Sequence, residues 1–128
     1  MSKLKLTTLA TQDDSASVPA DTIVNGTAKA WVNFNGTGVV AIRRAFNVSS
    51  ITDNGTGNYA VNFATAMTDA NYSANVGASF DGGGFAGQQN GQVKADTTPT
   101  AFTLNVVTSN SSNAVLGDGT KVYVAIFS

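Results

Sequence analysis

From Thr27 to the C-terminus, apolar residues recur at every second position, in runs separated by clusters rich in Gly and Asn. A period of two places apolar side chains on one face of a pleated strand, whereas the three-and-four spacing of a helix is nearly absent. The chain therefore reads as an all-β domain. A first strand is expected over 28–34, with Ala30, Val32 and Phe34 on one face and Lys29, Trp31 and Asn33 on the other. Asn35-Gly36-Thr37-Gly38 then leads into 39–44, and Asn-Gly between alternating runs signals a hairpin because both residues tolerate positive φ. Successive side chains of a strand alternate, so Arg43 and Arg44 are expected on opposite faces.

The run over 45–51 reads as a continuation or as a third strand, closed by the turn Asp53-Asn54-Gly55-Thr56-Gly57. Residues 58–63 alternate cleanly, 64–71 break the alternation and are read as a short helical turn, and 72–80 alternate again. A Gly-rich loop is expected over 81–91, a strand over 92–96, and edge character near Pro99, which cannot donate to a ladder. Further strands are expected over 102–108, 114–116 and 121–127. The last is apolar on both faces, Val122, Val124 and Ile126 against Tyr123, Ala125 and Phe127, which predicts a central strand or one buried in an interface. Seven or eight short strands joined by Gly/Asn turns indicate an antiparallel β-sandwich, jelly-roll-like or a small barrel, with the strand order open. Residues 1–24 differ: Leu4, Leu6 and Leu9 alternate weakly and a polar, Pro-bearing stretch follows. They read as an extended N-terminal attachment arm and linker ahead of a sandwich over 25–128.

Composition narrows the function. Among 128 residues there is no Cys and no His, and all eight acids are Asp. Thiolate metal sites, cysteine nucleophiles, imidazole bases and Ser-His-Asp relays are therefore excluded. Asp53, Asp81, Asp96 and Asp118 fall in turns, where Asp is favoured for bonding its own backbone, so a glycosidase-type carboxylate pair is not expected. No Asp-x-Asp-x-Asp-Gly loop announces calcium, and Asp81-Gly-Gly-Gly84 lacks the strand-to-helix context of a phosphate loop. No catalytic residue, metal or cofactor is expected. A net charge of −1 with seven basic residues supplies no footprint for nucleic acid. No apolar window is long enough to cross a membrane as a helix, and the first residues lack a secretion signal, so neither membrane insertion nor export is expected.

Binding is left to aromatic and amide side chains. Trp31, Tyr72 and Phe85 are the aromatic candidates, since a flat ring can stack on a sugar or anchor an interface. Trp31, with Tyr123 and Phe127 of the two-faced last strand, is assigned to a core or subunit interface. Phe85, Gln88, Gln89 and Asn90 are assigned to ligand binding, because amides both donate to and accept from neutral hydroxyls.

The opening Met1-Ser-Lys-Leu-Lys-Leu-Thr-Thr-Leu9 resembles the start of bacteriophage tail-fibre and other appendage proteins, especially of marine and cyanophage type. The blocks Lys29-Ala-Trp-Val-Asn-Phe-Asn-Gly-Thr-Gly38, Ala41-Ile-Arg43, Phe46-Asn-Val-Ser-Ser-Ile-Thr-Asp-Asn-Gly-Thr-Gly57, Tyr59-Ala-Val-Asn-Phe63 and Ala66-Met-Thr-Asp-Ala-Asn-Tyr72 are similar to segments of the same proteins. These blocks lie within residues 1–72, just over half the chain, and contain no catalytic motif. It implies a virion protein made in the host cytoplasm, a homotrimeric tail-fibre or receptor-binding subunit. Host surface polysaccharide would meet its loops, and other virion proteins its arm through Leu4, Leu6 and Leu9. The alternative is a capsid-decorating (cement) protein that binds only other virion proteins.

Overall fold

The computed structural model of the chain describes residues 2–79, 88–94, 97–109 and 114–128. Its elements are β1 (Thr8–Ala10), β2 (Ser17–Pro19), α1 (Ala20–Gly26), β3 (Ala30–Asn35), β4 (Ala41–Phe46), β5 (Val48–Asp53), β6 (Asn58–Phe63), β7 (Ser73–Ser79), β8 (Gln88–Val93), β9 (Ala101–Ser109), β10 (Ala114–Leu116) and β11 (Lys121–Phe127). Strands β1 and β2 form a separate hairpin. The other nine pair antiparallel in the order β4-β3-β11-β7-β8-β9-β6-β5, with β10 beside β9. At the β7/β8 junction Gly77↔Asn90 is the one pair among the described residues. The ladder folds over there into two halves, β4-β3-β11-β7 and β8-β9-β6-β5, that pack as a sandwich.

The period-two residues build its interior. Ala30, Val32 and Phe34 of β3 and Val122, Val124 and Ile126 of β11 are buried with Tyr59, Val61 and Phe63 of β6 and Phe102, Leu104 and Val106 of β9. Phe34 meets Tyr59 edge to face across the two halves, with ring centroids 5.2 Å apart. Each fully buried large side chain of this kind is worth about 1.5–3 kcal/mol, so the two inner faces supply the main driving force for the fold. The last strand is central as its two apolar faces predict, lying between β3 and β7.

The corner between the halves is Asn47. Strand β4 ends at Phe46 and β5 begins at Val48, so one residue carries the chain from one half to the other, at φ 52°. Asn tolerates this left-handed conformation better than most residues. Its amide also bonds Lys29 O and Thr65 O, each at 3.1 Å, and accepts from Thr65 N at 2.7 Å. The run over 45–51 is thus neither one continuous strand nor a simple third one, but the end of β4, a corner and the start of β5.

Three local expectations are corrected. Residues 64–72 contain bends and no helix; Met67 N bonds Pro99 O at 2.8 Å and Tyr72 OH bonds Thr98 O and Ala101 O at 3.1 Å, so tertiary bonds claim that segment. The strand expected over 92–96 begins earlier, at Gln88, and includes Gln92 and Val93, because β8 takes its register from β9, with Gln89↔Thr108 and Gln92↔Asn105; residues 95 and 96 lie outside the described residues. Arg43 and Arg44 do not alternate. The β3/β4 register shifts between Asn33 and Phe34, and Arg43 Nη1 reaches Asn33 Oδ1, the side chain paired across from Arg44. A bulge of this kind cancels the alternation locally, so Arg43 extends to the side of Asn33, with which Arg44 is paired.

Candidate binding faces

The outer face of the first half gathers aromatic residues. Trp31 is paired with Phe46 on one side and Ala125 on the other, and Asn33 lies between Arg44 and Tyr123. Trp31, Phe46 and Tyr123 are 37%, 54% and 42% exposed, and Phe127 on the same side of β11 is partly buried. A Cβ on Gly77 would stand 3.7 Å from the Tyr123 ring, so that ring leans over backbone with no side chain beneath it. The three residues expected at an interface, Trp31, Tyr123 and Phe127, share one surface. Phe46 joins them unannounced by the sequence, because only the β3/β4 register places it opposite Trp31. Arg43, Arg44 and Lys121 are the charged residues of these four strands.

The outer face of the second half has another chemistry. Asn62 donates to Ser50 Oγ at 3.0 Å and to Thr52 Oγ1 at 2.9 Å, so a neutral amide and hydroxyls replace the aromatics there, while Asn58 and Asn105, paired across β6 and β9, have buried Oδ1 atoms. Of the residues expected to bind ligand, Gln88, Gln89 and Asn90 belong to β8 instead of a loop, with backbones paired to β9. Phe85 lies outside the described residues.

Tyr72 is not a free platform. Its ring packs edge-on against Phe63 and Phe102, at 5.8 and 6.2 Å between centroids, and its hydroxyl is spent on backbone carbonyls. Burial raises its phenol above the ordinary value.

The turn aspartates within the described residues are likewise engaged. Asp53 accepts from Gly55 N at 2.9 Å. Asp118, in the crossing from β10 to β11, accepts from Gly57 N at 2.8 Å and from the hydroxyl of buried Tyr59 at 2.7 Å. That hydroxyl also lies 2.9 Å from Gly36 O, so its one proton is shared between two acceptors. Burial first, then the bond to Asp118 and its charge, hold the Tyr59 phenol well above its ordinary range. The constellation ties β6 to the turns after β3 and β10. A Cβ on Gly36 would stand 2.5 Å from the Tyr59 oxygen, so glycine is required there. This Tyr–Asp pair is a structural clasp, and no polar or charged residue among those described is fully buried. Nor does any group of three or more acids among the described residues form a metal cluster.

Ahead of the sandwich, Leu9 of β1 is paired with Val18 of β2, and Leu9, Ala10, Thr11, Ala16, Ser17 and Val18 line an open apolar groove on the hairpin. Leu4, Leu6 and Leu9, expected to grip other virion proteins, are 88%, 39% and 54% exposed, as are Ile23 and Val24 of α1 at 39% and 60%. The hairpin tip is held by Asp13, which accepts from Thr11 Oγ1 at 2.8 Å and from Ser15 Oγ at 2.7 Å. Those bonds, with the Ser15 amide, lower its carboxyl to about 2. The helix runs through the boundary drawn after residue 24 to Gly26, where Thr27 Oγ1 donates to Ile23 O and Lys29 Nζ to Val24 O.

Compared with known proteins, the chain matches no family model, no curated protein and no solved structure.

Proposed function

We propose that this chain is a non-enzymatic structural subunit of a bacteriophage particle, a tail-fibre or similar appendage component that assembles as a homotrimer and meets host surface polysaccharide. The observation that carries the reading is the pairing of an apolar-cored sandwich with an exposed aromatic face and an arm whose apolar side chains are left in solvent. A monomer does not ordinarily expose such clusters without a partner for them. The blocks that resemble appendage proteins build β3 to β6, which include the corner Asn47 and the clasp residue Tyr59. The aspartates of the described turns are spent on backbone and on Tyr59, which favours a scaffold over a hydrolase. A neutral amide and hydroxyls on the second outer face suit uncharged sugar hydroxyls, and repeated weak sites on one assembly would gain avidity.

Mass spectrometry of gradient-purified particles of the phage that encodes the chain tests the virion assignment. Recovery at a fixed copy number, a multiple of three, is expected; absence from intact particles refutes it. Polysaccharide of the susceptible host, offered to the pure protein, should bind without being shortened. Depolymerisation would overturn the non-enzymatic reading.

A further inference from the structure

We propose that the hairpin and helix of one copy's arm dock on the outer face of the first half-sheet of a second copy, with Trp31 and Phe46 entering the Leu9–Val18 groove. The inference deepens the reading of the chain as an assembled subunit by naming the two surfaces that meet.

Both surfaces are apolar and uncovered. On the arm, Leu9, Ile23 and Val24 are exposed around the groove; on the sheet, Trp31, Phe46 and Tyr123 are exposed in register with one another. Their charges are complementary. Residues 8–26 carry Asp13, Asp14 and Asp21, with Lys3 and Lys5 ahead of them, whereas β3, β4, β7 and β11 carry Arg43, Arg44 and Lys121 and no acid. Opposite charge across a contact steers encounter and sets register, and an aromatic anchor in an apolar groove provides the binding energy.

The base of the arm is also tethered to its own sheet at a fixed point. Its helix is clasped to the linker by the Thr27–Ile23 and Lys29–Val24 bonds, and Lys29 N is fixed to Ile126 O at 2.7 Å. Thr27 and Ala28 lie between helix and anchor, so the chain that joins them spans at most about 10 Å when extended. A second copy offers the same face without that constraint. The contact is between unlike surfaces, so two copies exchanging arms, or a closed ring, satisfy every arm and every face.

Trp31 is the chain's one tryptophan, so its emission reports directly on the proposed contact. The full-length chain is measured by light scattering and by Trp31 fluorescence over a concentration series. Two charge-reversed full-length variants accompany it, Asp14→Lys/Asp21→Lys on the arm and Arg43→Glu/Arg44→Glu on the face. All of these side chains are exposed, and circular dichroism checks that each variant folds. Asp13 is spared because it organises the hairpin tip.

The expected result is a wild-type mass at a multiple of the monomer, with Trp31 emission shifted to the blue and shielded from acrylamide as the assembly forms. Each variant alone should sit at monomer mass. An equimolar mixture of the two should recover assemblies of even copy number, in which each arm faces an opposite charge. A wild-type monomer at all concentrations overturns the proposal. So does an assembly in which Trp31 stays open to acrylamide, one that both reversals leave intact, or a mixture that stays monomeric. Should a variant fail to fold, the wild-type quenching series still decides the matter. Shielding of Trp31 by host polysaccharide in a protein that remains monomeric would give the face to glycan and refute arm docking. None of these results alters whether the chain is found in particles, so failure here is separable from failure of the virion assignment.

Discussion

Replacing Tyr59 with Phe isolates the clasp, because it deletes one buried hydroxyl and leaves the ring packed on Phe34. The lost bond is to a carboxylate, at 2.7 Å, and a hydrogen bond to a charged group contributes about 1.5–3 kcal/mol. Asp118 keeps the Gly57 amide at 2.8 Å, so it is not orphaned, and the expected loss is about 2 kcal/mol, the middle of that range. With an unfolding entropy of about 2.1 cal/mol/K per residue over roughly 100 sandwich residues, that loss lowers Tm by about 10 °C. Urea unfolding followed by Trp31 fluorescence and by circular dichroism measures it. Asp118→Ala and the double variant complete a cycle in which coupling of about 1–2 kcal/mol is expected for groups in direct contact. Alkaline titration adds a second reading. The Tyr59 phenol is raised in the folded state, so the folded protein binds more protons above the ordinary phenol range. Stability is therefore intact below about pH 10 and falls above it by about 1.4 kcal/mol per pH unit from this group. Tyr59→Phe should flatten that slope, leaving what Tyr72 contributes. A loss below about 0.5 kcal/mol, or additive single variants, would refute the clasp, since non-interacting sites add within about that margin.

Three further outcomes follow from the geometry. Asn47→Ala should cost about 3 kcal/mol in urea unfolding, from left-handed strain and three lost side-chain bonds, whereas Asn47→Gly, which keeps the φ of 52° without strain, should cost about 1 kcal/mol less. Gly91→Ala puts a methyl group inside Val76 where β7 meets β8, so it should destabilise by more than about 2 kcal/mol, and adding Val76→Ala should recover part of the loss. Carbon-detected NMR titration should find the Asp13 carboxylate ionised down to about pH 2, and Ser15→Ala should move its midpoint back toward the ordinary 3.8. The Asp13 carboxyl is lowered in the fold, so the support it gives the hairpin tip is present above pH 3.8 and lost as pH falls through about 2.

How much of this was legible in the chain depends on whether the information was local. The bounds of β6 and β11 are legible in the sequence, because β6 alternates cleanly, β11 is a run apolar on both faces, and each starts just after a Gly-bearing turn. The central place of β11 was legible for the same reason, since two apolar faces need neighbours on both sides. Trp31, Tyr123 and Phe127 were singled out from single-strand patterns, and they share a face because β3 and β11 are adjacent. Phe46 was missed as their neighbour, as was the Tyr59–Asp118 bond, whose partners lie 59 residues apart. Asn47 read as a residue inside a run, yet it is the corner of the fold.

Alternation, turn residues and the absence of His, Cys and Glu determined that the chain is β, how many strands it has to within a few, and which catalytic chemistries it cannot perform. These are properties of single residues and of spacings shorter than one strand, which need no partner to be expressed. Strand order, the bulge that turns Arg43 to the side of Asn33, the helix-free 64–72 segment and the shift of β8 toward Gln88 were decided by tertiary structure. Each depends on which backbone groups find each other across the sandwich, and a pairing register moved by one residue exchanges every side chain between core and surface.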